Sequence, residues 1–287
     1  MNSVPHQAPM GRQEVPTGSR TVWVAGPFDD LRSHHVRFLQ EAARIGRVTV
    51  FLWTDEAIRE YWGRPPKFPF PERQYLLAAL RYVHQIVPVP SPGRINPNQP
   101  VEDRALWLDP PWPNHPRHAK LAHDMGLEYR CLAEEHLRHF PLPDPLPVDP
   151  SCPKVVVTGC YDWLHSGHVR FFEEARAYGQ LFVIIGHDAN IRTLKGPGHP
   201  LQSENERRFM VASIRHVTAT FISSGQGWLD ADPEIRQLRP QFYVVNEDGD
   251  KGGKRQYCER MGIQYIVLKR VPAPGLPARS STQLRGF

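Results

Sequence analysis

The chain has no apolar run near the 20 or so residues that span a bilayer. Its first 20 residues, MNSVPHQAPMGRQEVPTGSR, lack the apolar centre of a secretory signal and read as a disordered tail. These two absences predict a cytoplasmic protein. Cysteine is scarce. Cys131, Cys152, Cys160 and Cys258 are the whole complement and form no C-x-x-C pair, which argues against a zinc site. A disulfide framework is equally out of place in a cytosolic chain of this size, so four reduced thiols are expected. The net charge is +5, yet the basic residues form no run of the kind that marks a nucleic-acid tail. A diffuse positive charge suits phosphorylated small substrates instead. Proline is what the chain has in excess, 30 residues in 287, gathered in connecting segments.

The length suffices for two α/β domains, and an internal repeat divides the chain accordingly. Residues 21–42, TVWVAGPFDDLRSHHVRFLQEA, align without a gap to residues 154–175, KVVVTGCYDWLHSGHVRFFEEA, and over half the positions are identical. The match continues in ERQYLLAALRYV from Glu72 and ERRFMVASIRHV from Glu206, and again in MGLEY from Met125 and MGIQY from Met261. The expected layout is a first copy over 21–140, a proline-rich linker over 141–153, and a second copy over 154–287.

The second copy is the easier to read. Lys154–Thr158 is a short apolar run ending in Gly159, a buried strand. Ser166 can cap a helix that Gly179 ends. Leu181–Ile185 reads as a second strand. Ser203 and Glu206 form an S-x-x-E capping box, predicting a helix to about Val217. Ala219–Ile222, Phe242–Asn246 and Gln264–Leu268 read as further strands. Strands alternating with helices predict an α/β fold, here two tandem Rossmann-like doubly wound domains, each a parallel sheet with helices on both faces. Such sheets bind ligands at the carboxyl ends of their strands.

The chemistry concentrates after the first strand of the second copy, in Gly159-Cys160-Tyr161-Asp162-Trp163-Leu164-His165-Ser166-Gly167-His168. A helix N-terminus there presents unpaired N–H groups to anions. Gly159 and Gly167 let backbone approach closely, and His165 and His168 are placed to donate to phosphate oxygens. This strand–loop–helix segment resembles the HxGH signature of the cytidylyltransferase-like nucleotidyltransferases.

The resemblance extends to Lys195, which follows the second strand, and to ENER at Glu204–Arg207. It reaches Arg279-Ser280-Ser281-Thr282, a compressed form of the family's last motif that lacks a Thr-Glu-Gly insert. Asn246-Glu247-Asp248 stands where many relatives have Gly-Asp-Asp. The two-copy layout resembles the ethanolamine-phosphate cytidylyltransferases. The resemblance implies catalytic roles for His165, His168 and Lys195. It implies nucleotide binding by Gly159, Cys160, Tyr161, Asp162, Gly167, Arg207, Arg279, Ser280, Ser281 and Thr282.

The implied reaction joins a nucleoside monophosphate, from CTP by preference, to a phosphorylated small molecule and releases pyrophosphate. Mg²⁺ would accompany the triphosphate without a dedicated protein cage. ATP as donor, or a regulatory protein that only binds nucleotide, are the alternatives. A class I aminoacyl-tRNA synthetase is discounted, because no KMSKS-like segment is present.

In the first copy Arg32 replaces His165, His34 replaces Gly167 and Trp62 replaces Lys195, whereas Gly26, Asp29, Ser33 and His35 persist. The expectation is a domain that keeps the fold, has lost the chemistry and serves as a built-in partner. The molecule would then be a monomer with an internal pseudo-dimer, or a homo-oligomer of such chains.

Overall fold

The computed structural model describes residues 20–91, 95, 105–112 and 116–284. The predicted N-terminal tail lies, but for Arg20, outside them. The first copy runs β1 (Thr21–Gly26), α1 (Ser33–Ile45), β2 (Arg47–Trp53), α2 (Asp55–Trp62), α3 (Phe70–Ala78), β3 (Val83–Val89), β4 (Leu106–Asp109), α4 (His118–Asp124) and β5 (Glu128–Cys131). The second runs β6 (Lys154–Gly159), α5 (Ser166–Arg176), β7 (Gln180–Ile185), α6 (Asp188–Lys195), α7 (Glu204–Ala212), β8 (Val217–Ile222), α8 (Asp232–Leu238), β9 (Phe242–Asn246), α9 (Lys254–Met261), β10 (Gln264–Leu268) and α10 (Ser281–Leu284).

Each copy builds a five-stranded, all-parallel sheet, in the orders β3-β2-β1-β4-β5 and β8-β7-β6-β9-β10. These are one topology used twice. Both central strands, VWVA and VVV, are buried on both faces, which is why they read as unbroken apolar runs rather than alternations. The strand order reverses beside β1 and beside β6, and ligands of doubly wound sheets bind in the crevice at that point.

Several predicted boundaries shift. Ser166 does not cap α5. His165 does, in extended backbone, with its Nδ1 accepting the Gly167 N–H at 3.1 Å. The helix from Ser203 ends at Ala212 and not at Val217, because the chain turns there to meet the other copy. Half of the predicted capping box forms: Ser203 Oγ accepts the Glu206 N–H at 3.3 Å. The Glu206 carboxylate does not return to the cap; it accepts from Ser33 Oγ of the first copy at 2.5 Å.

That last contact belongs to a pseudo-two-fold interface. Ser166 Oγ donates to Glu72 at 2.7 Å, the mirror of Ser33 and Glu206. The Arg81 amide donates to the Ser213 carbonyl at 3.0 Å and the Arg215 amide to the Ala79 carbonyl at 2.9 Å, about an antiparallel bridge between Leu80 and Ile214. One apolar core runs through both copies, with Phe38, Leu39 and Leu77 on one side and Phe172, Phe209 and Ile214 on the other. The two domains are therefore joined as a self-complementary pair.

Candidate active site

The loop from β6 into α5 is held by a frame that both copies share. The Arg207 side chain is fully buried. It donates to the carbonyls of Gln202 (3.1 Å), Cys160 (2.6 Å) and Gly186 (2.8 Å) and to Asp188 (2.7 Å), which ties the ends of β6 and β7 to α7. Arg73 does the same with Phe68, Pro27, Trp53 and Asp55. Asp162 Oδ1 accepts the amides of Leu201 and Gln202 at 2.8 and 2.9 Å, and Asp29 accepts those of Lys67 and Phe68. The structure therefore places Arg207 and Asp162 beneath the loop as its supports. Buried polar groups bond to what encloses them, and these two hold the loop on which the expected nucleotide contacts would be made.

Upon this frame the loop turns sharply. Tyr161 has φ +52°, a left-handed backbone that costs a side-chain-bearing residue of order 1–3 kcal/mol, and Phe28 repeats it at φ +44°. Each ring is buried against its domain's core. The His165 and His168 rings stack with centroids 3.9 Å apart, and Tyr161 meets His168 edge-on at 5.3 Å. Gly167 lets the His165 ring lie close: a Cβ would sit 3.0 Å from it, and the ring would have to shift.

The electrostatics fix the protonation states. Burial is the largest cause that lowers His165, to about 3, and the positive fields of Arg270 and Arg279 add to it. His168 is lowered well below its ordinary value by burial, then by His165, Arg270 and Lys195. Both rings are neutral at pH 7. Because His165 Nδ1 accepts the Gly167 N–H, its proton sits on Nε2. That atom is buried and has no partner, and the same is true of His168 Nδ1 and the Tyr161 hydroxyl. Two unpartnered imidazole nitrogens in the first turn of a helix are a reason for a polar ligand to bind there.

A groove opens beside the loop at the β6/β9 switch point, lined by Gly167, Arg170, Asn246, Lys269, Arg270 and Arg279 among others. Lys195 is the last residue of α6 rather than a loop lysine; it is exposed and near enough for its charge to depress His168. Ser280 caps α10 by accepting the Gln283 amide at 3.3 Å, Ser281 Oγ donates to the Trp163 carbonyl at 3.4 Å, and Thr282 is exposed. The Arg279 guanidinium, predicted to meet the triphosphate, is bonded to Glu72 of the first copy. Sequence reasoning missed Glu72 and Arg270. The only signal for Glu72 is its match to Glu206 in the repeat; its partner lies 207 residues away.

The corresponding place in the first copy is filled. His34 lies against His35 at a tilt, with centroids 4.0 Å apart, close to the His165–His168 spacing. Trp112, from the loop after β4, packs edge-on against both rings, at 5.0 and 5.6 Å. Arg32 crosses to the second copy and lies over the Trp163 ring at 3.2 Å. With Arg32 turned to Trp163, the side of His35 that faces His165's counterpart position is taken by His34 instead.

A model of the Cytidylyltransferase-like family matches residues 156–285. The FAD synthase of Aciduliprofundum boonei is 32% identical over 119 residues, which is 40% of this chain and 76% of that protein. The bifunctional protein HldE of Pseudomonas entomophila is 39% identical over 133 residues, and that of Syntrophotalea carbinolica 37% over 136. The matched stretch spans 26% of the length of each of these two HldE proteins. Among solved structures, the lipopolysaccharide core biosynthesis protein from Thermoplasma volcanium GSS1 shares 19% identity over 43% of this chain and 99% of that one, with a TM-score of 0.37. The chain belongs to the cytidylyltransferase-like nucleotidyltransferase family.

Proposed function

We propose that the second copy transfers a nucleoside monophosphate from a nucleoside triphosphate to a phosphorylated small molecule. An acceptor phosphate oxygen attacks the α-phosphorus, the bond from that phosphorus to the β-phosphate's bridging oxygen breaks, and pyrophosphate leaves. The observation that carries this reading is the pair of buried atoms, His165 Nε2 and His168 Nδ1, left without partners among the described residues at the start of α5. Phosphoryl chemistry of this kind needs positioning and charge stabilisation more than covalent help. His165 Nε2–H is oriented as a donor to the developing charge, and Lys195 supplies a mobile positive charge from the end of α6.

Among the described residues no three His, Cys, Asp or Glu side chains converge as a metal site. The donors at the site are imidazoles, backbone amides and cations, which suit phosphate oxygens. Mg²⁺, when bound, would be carried by the triphosphate's own oxygens and water and would neutralise their charge.

The donor nucleotide is CTP or ATP. The two-copy layout favours CTP. The kinship to FAD synthase, a protein named for an adenine dinucleotide, favours ATP, and its coverage of that protein gives it the greater weight. The deciding experiment is a matrix of triphosphates against phosphorylated acceptors with Mg²⁺, read by pyrophosphate release. Signal in one row fixes the donor and signal in one column the acceptor. Nucleotide binding without pyrophosphate from any pair would favour the regulatory alternative.

A further inference from the structure

We propose that Glu72 of the first copy is a positioning residue for the active site of the second. It clamps the C-terminal segment onto the HxGH loop through Arg279 and Ser166. This rests on the reading of that loop as the catalytic one.

Glu72 has no exposed surface at all. Its Oε1 accepts the Ser166 hydroxyl at 2.7 Å, and Ser166 sits between His165 and Gly167. Arg279 donates to the same carboxylate from Nε at 3.2 Å to each oxygen and from Nη2 at 2.8 Å to Oε2. Phe68, also of the first copy, lies under the guanidinium at 5.1 Å. One carboxylate thus binds both the first turn of α5 and the segment that crosses above it.

The clamped segment reaches the site at several further points. The Arg279 carbonyl accepts from Arg270 Nη2 at 2.7 Å, and Arg270 is one of the two arginines whose fields depress His165. Two residues on, Ser281 holds the Trp163 carbonyl. Arg32 and Lys67 of the first copy lie over the Trp163 ring, at 3.2 and 5.6 Å, and brace the loop from the same side.

The symmetry of the pair makes the point sharper. Glu206 is the counterpart of Glu72 and keeps only half of the arrangement, accepting from Ser33 at 2.5 Å. Among the described residues Glu206 meets no arginine. The Glu206 side of the interface has the serine contact without an arginine among the described residues. The arginine clamp exists on the side that has the histidines. A buried carboxylate is stable only when paired, so Glu72 in turn obliges Arg279 to stay where it is. A loop loosened by about 1 Å loses rate steeply.

The test uses the full chain with Glu72→Gln, which keeps the shape and an acceptor for Ser166 but removes the charge that holds Arg279. Pyrophosphate release should show kcat/KM down by about 10- to 100-fold, while Glu206→Gln stays within about twofold of wild type. Hydrogen exchange over residues 270–284 should quicken in Glu72→Gln and not in Glu206→Gln. The Glu72→Gln/Arg279→Ala double variant should lose no more than Arg279→Ala alone, since the carboxylate acts through that arginine. Wild-type kcat/KM in Glu72→Gln overturns the proposal, and so does additivity in the double variant. If Glu72→Gln fails to fold, Arg279→Lys, which keeps a charge for Glu72 but not the forked contact, carries the exchange readout, and unchanged exchange over residues 270–284 then overturns the proposal. If the wild-type chain releases no pyrophosphate with any triphosphate, the functional reading has failed by itself. The exchange data then still decide whether the clamp exists.

Discussion

At the end of its first strand the second copy carries Gly159, Tyr161, His165, Gly167 and His168, and the first carries Gly26, Phe28, Arg32, His34 and His35. Beneath those loops the two are nearly superimposable in their bonding. Arg73 and Arg207 reach four equivalent acceptors, and Asp29 and Asp162 take two equivalent amides. What differs is the layer above the frame, and the arginine that Glu72 holds and, among the described residues, Glu206 does not. In the second copy that layer holds polar atoms without partners; in the first it holds His34 and Trp112 packed together. The contrast separates the two demands on one sequence. Residues that support the loop are held in both copies because removing them leaves buried groups unpaired. Residues of the layer above carry no such structural demand and are free to change between the copies.

The comparison predicts where the copies should behave alike and where they should part. The largest effect should be shared. Arg73→Ala and Arg207→Ala each break a buried ion pair and strand several carbonyls, so each should cost about 3–5 kcal/mol of stability in denaturant titration. If only Arg207→Ala were destabilising, the frame would not be common to both.

The next effect should be confined to the second copy. His165→Ala and His168→Ala should each lower turnover by about two orders of magnitude or more, as loss of a preorganised donor does. His34→Ala, at the aligned loop, should leave turnover unchanged. A comparable loss from His34→Ala in a folded protein would show that the first copy takes part in the chemistry.

A smaller asymmetry concerns the ends of α2 and α6. Lys195→Ala should raise KM or lower kcat by roughly tenfold, with partial recovery in Lys195→Arg, because the group acts as a charge and not through a fixed fork. Trp62→Ala should leave both constants unchanged. Unchanged kinetics in Lys195→Ala would make it a surface lysine.

The mildest effect is again shared, and it is one of pH. His165 and His35 both have folded values near 3, lowered first by burial, below an unfolded value of about 6.5. The unfolded chain therefore binds more protons between those values. Stability is fully present above about pH 6.5 and falls as the pH drops towards 3. Thermal melting from pH 7 to pH 5 should show this decline, and His35→Asn should flatten it. A slope unchanged in His35→Asn would remove the first copy from the account.

Much of this was legible in the residues. The repeat gave two domains, the unbroken apolar runs gave parallel strands, and β9 and β10 were placed to the residue. The HxGH loop, Gly167 and the pairing of His165 with His168 followed from spacing along a short stretch of chain. Other features could not be read. The Ser166 hydroxyl was assigned to its own helix because local capping is the ordinary use of such a residue, yet it bonds to Glu72. The motif around Arg279 points to a triphosphate and carries no sign that the guanidinium is also held by Glu72 of the first copy. In each case the competing partner was far off in sequence.

The sequence by itself determined the two sheets, the position of the loop between β6 and α5 and the residues present in it. Those properties depend on period, on glycine and on neighbours within a turn or two of each other. The tertiary structure alone decided that Arg32 belongs to Trp163, that Trp112 fills the first copy's loop, and that Glu72 reaches across the pseudo-two-fold axis to the second. These depend on how two domains dock, and a buried charge takes the nearest partner that docking provides, whatever its place in the chain.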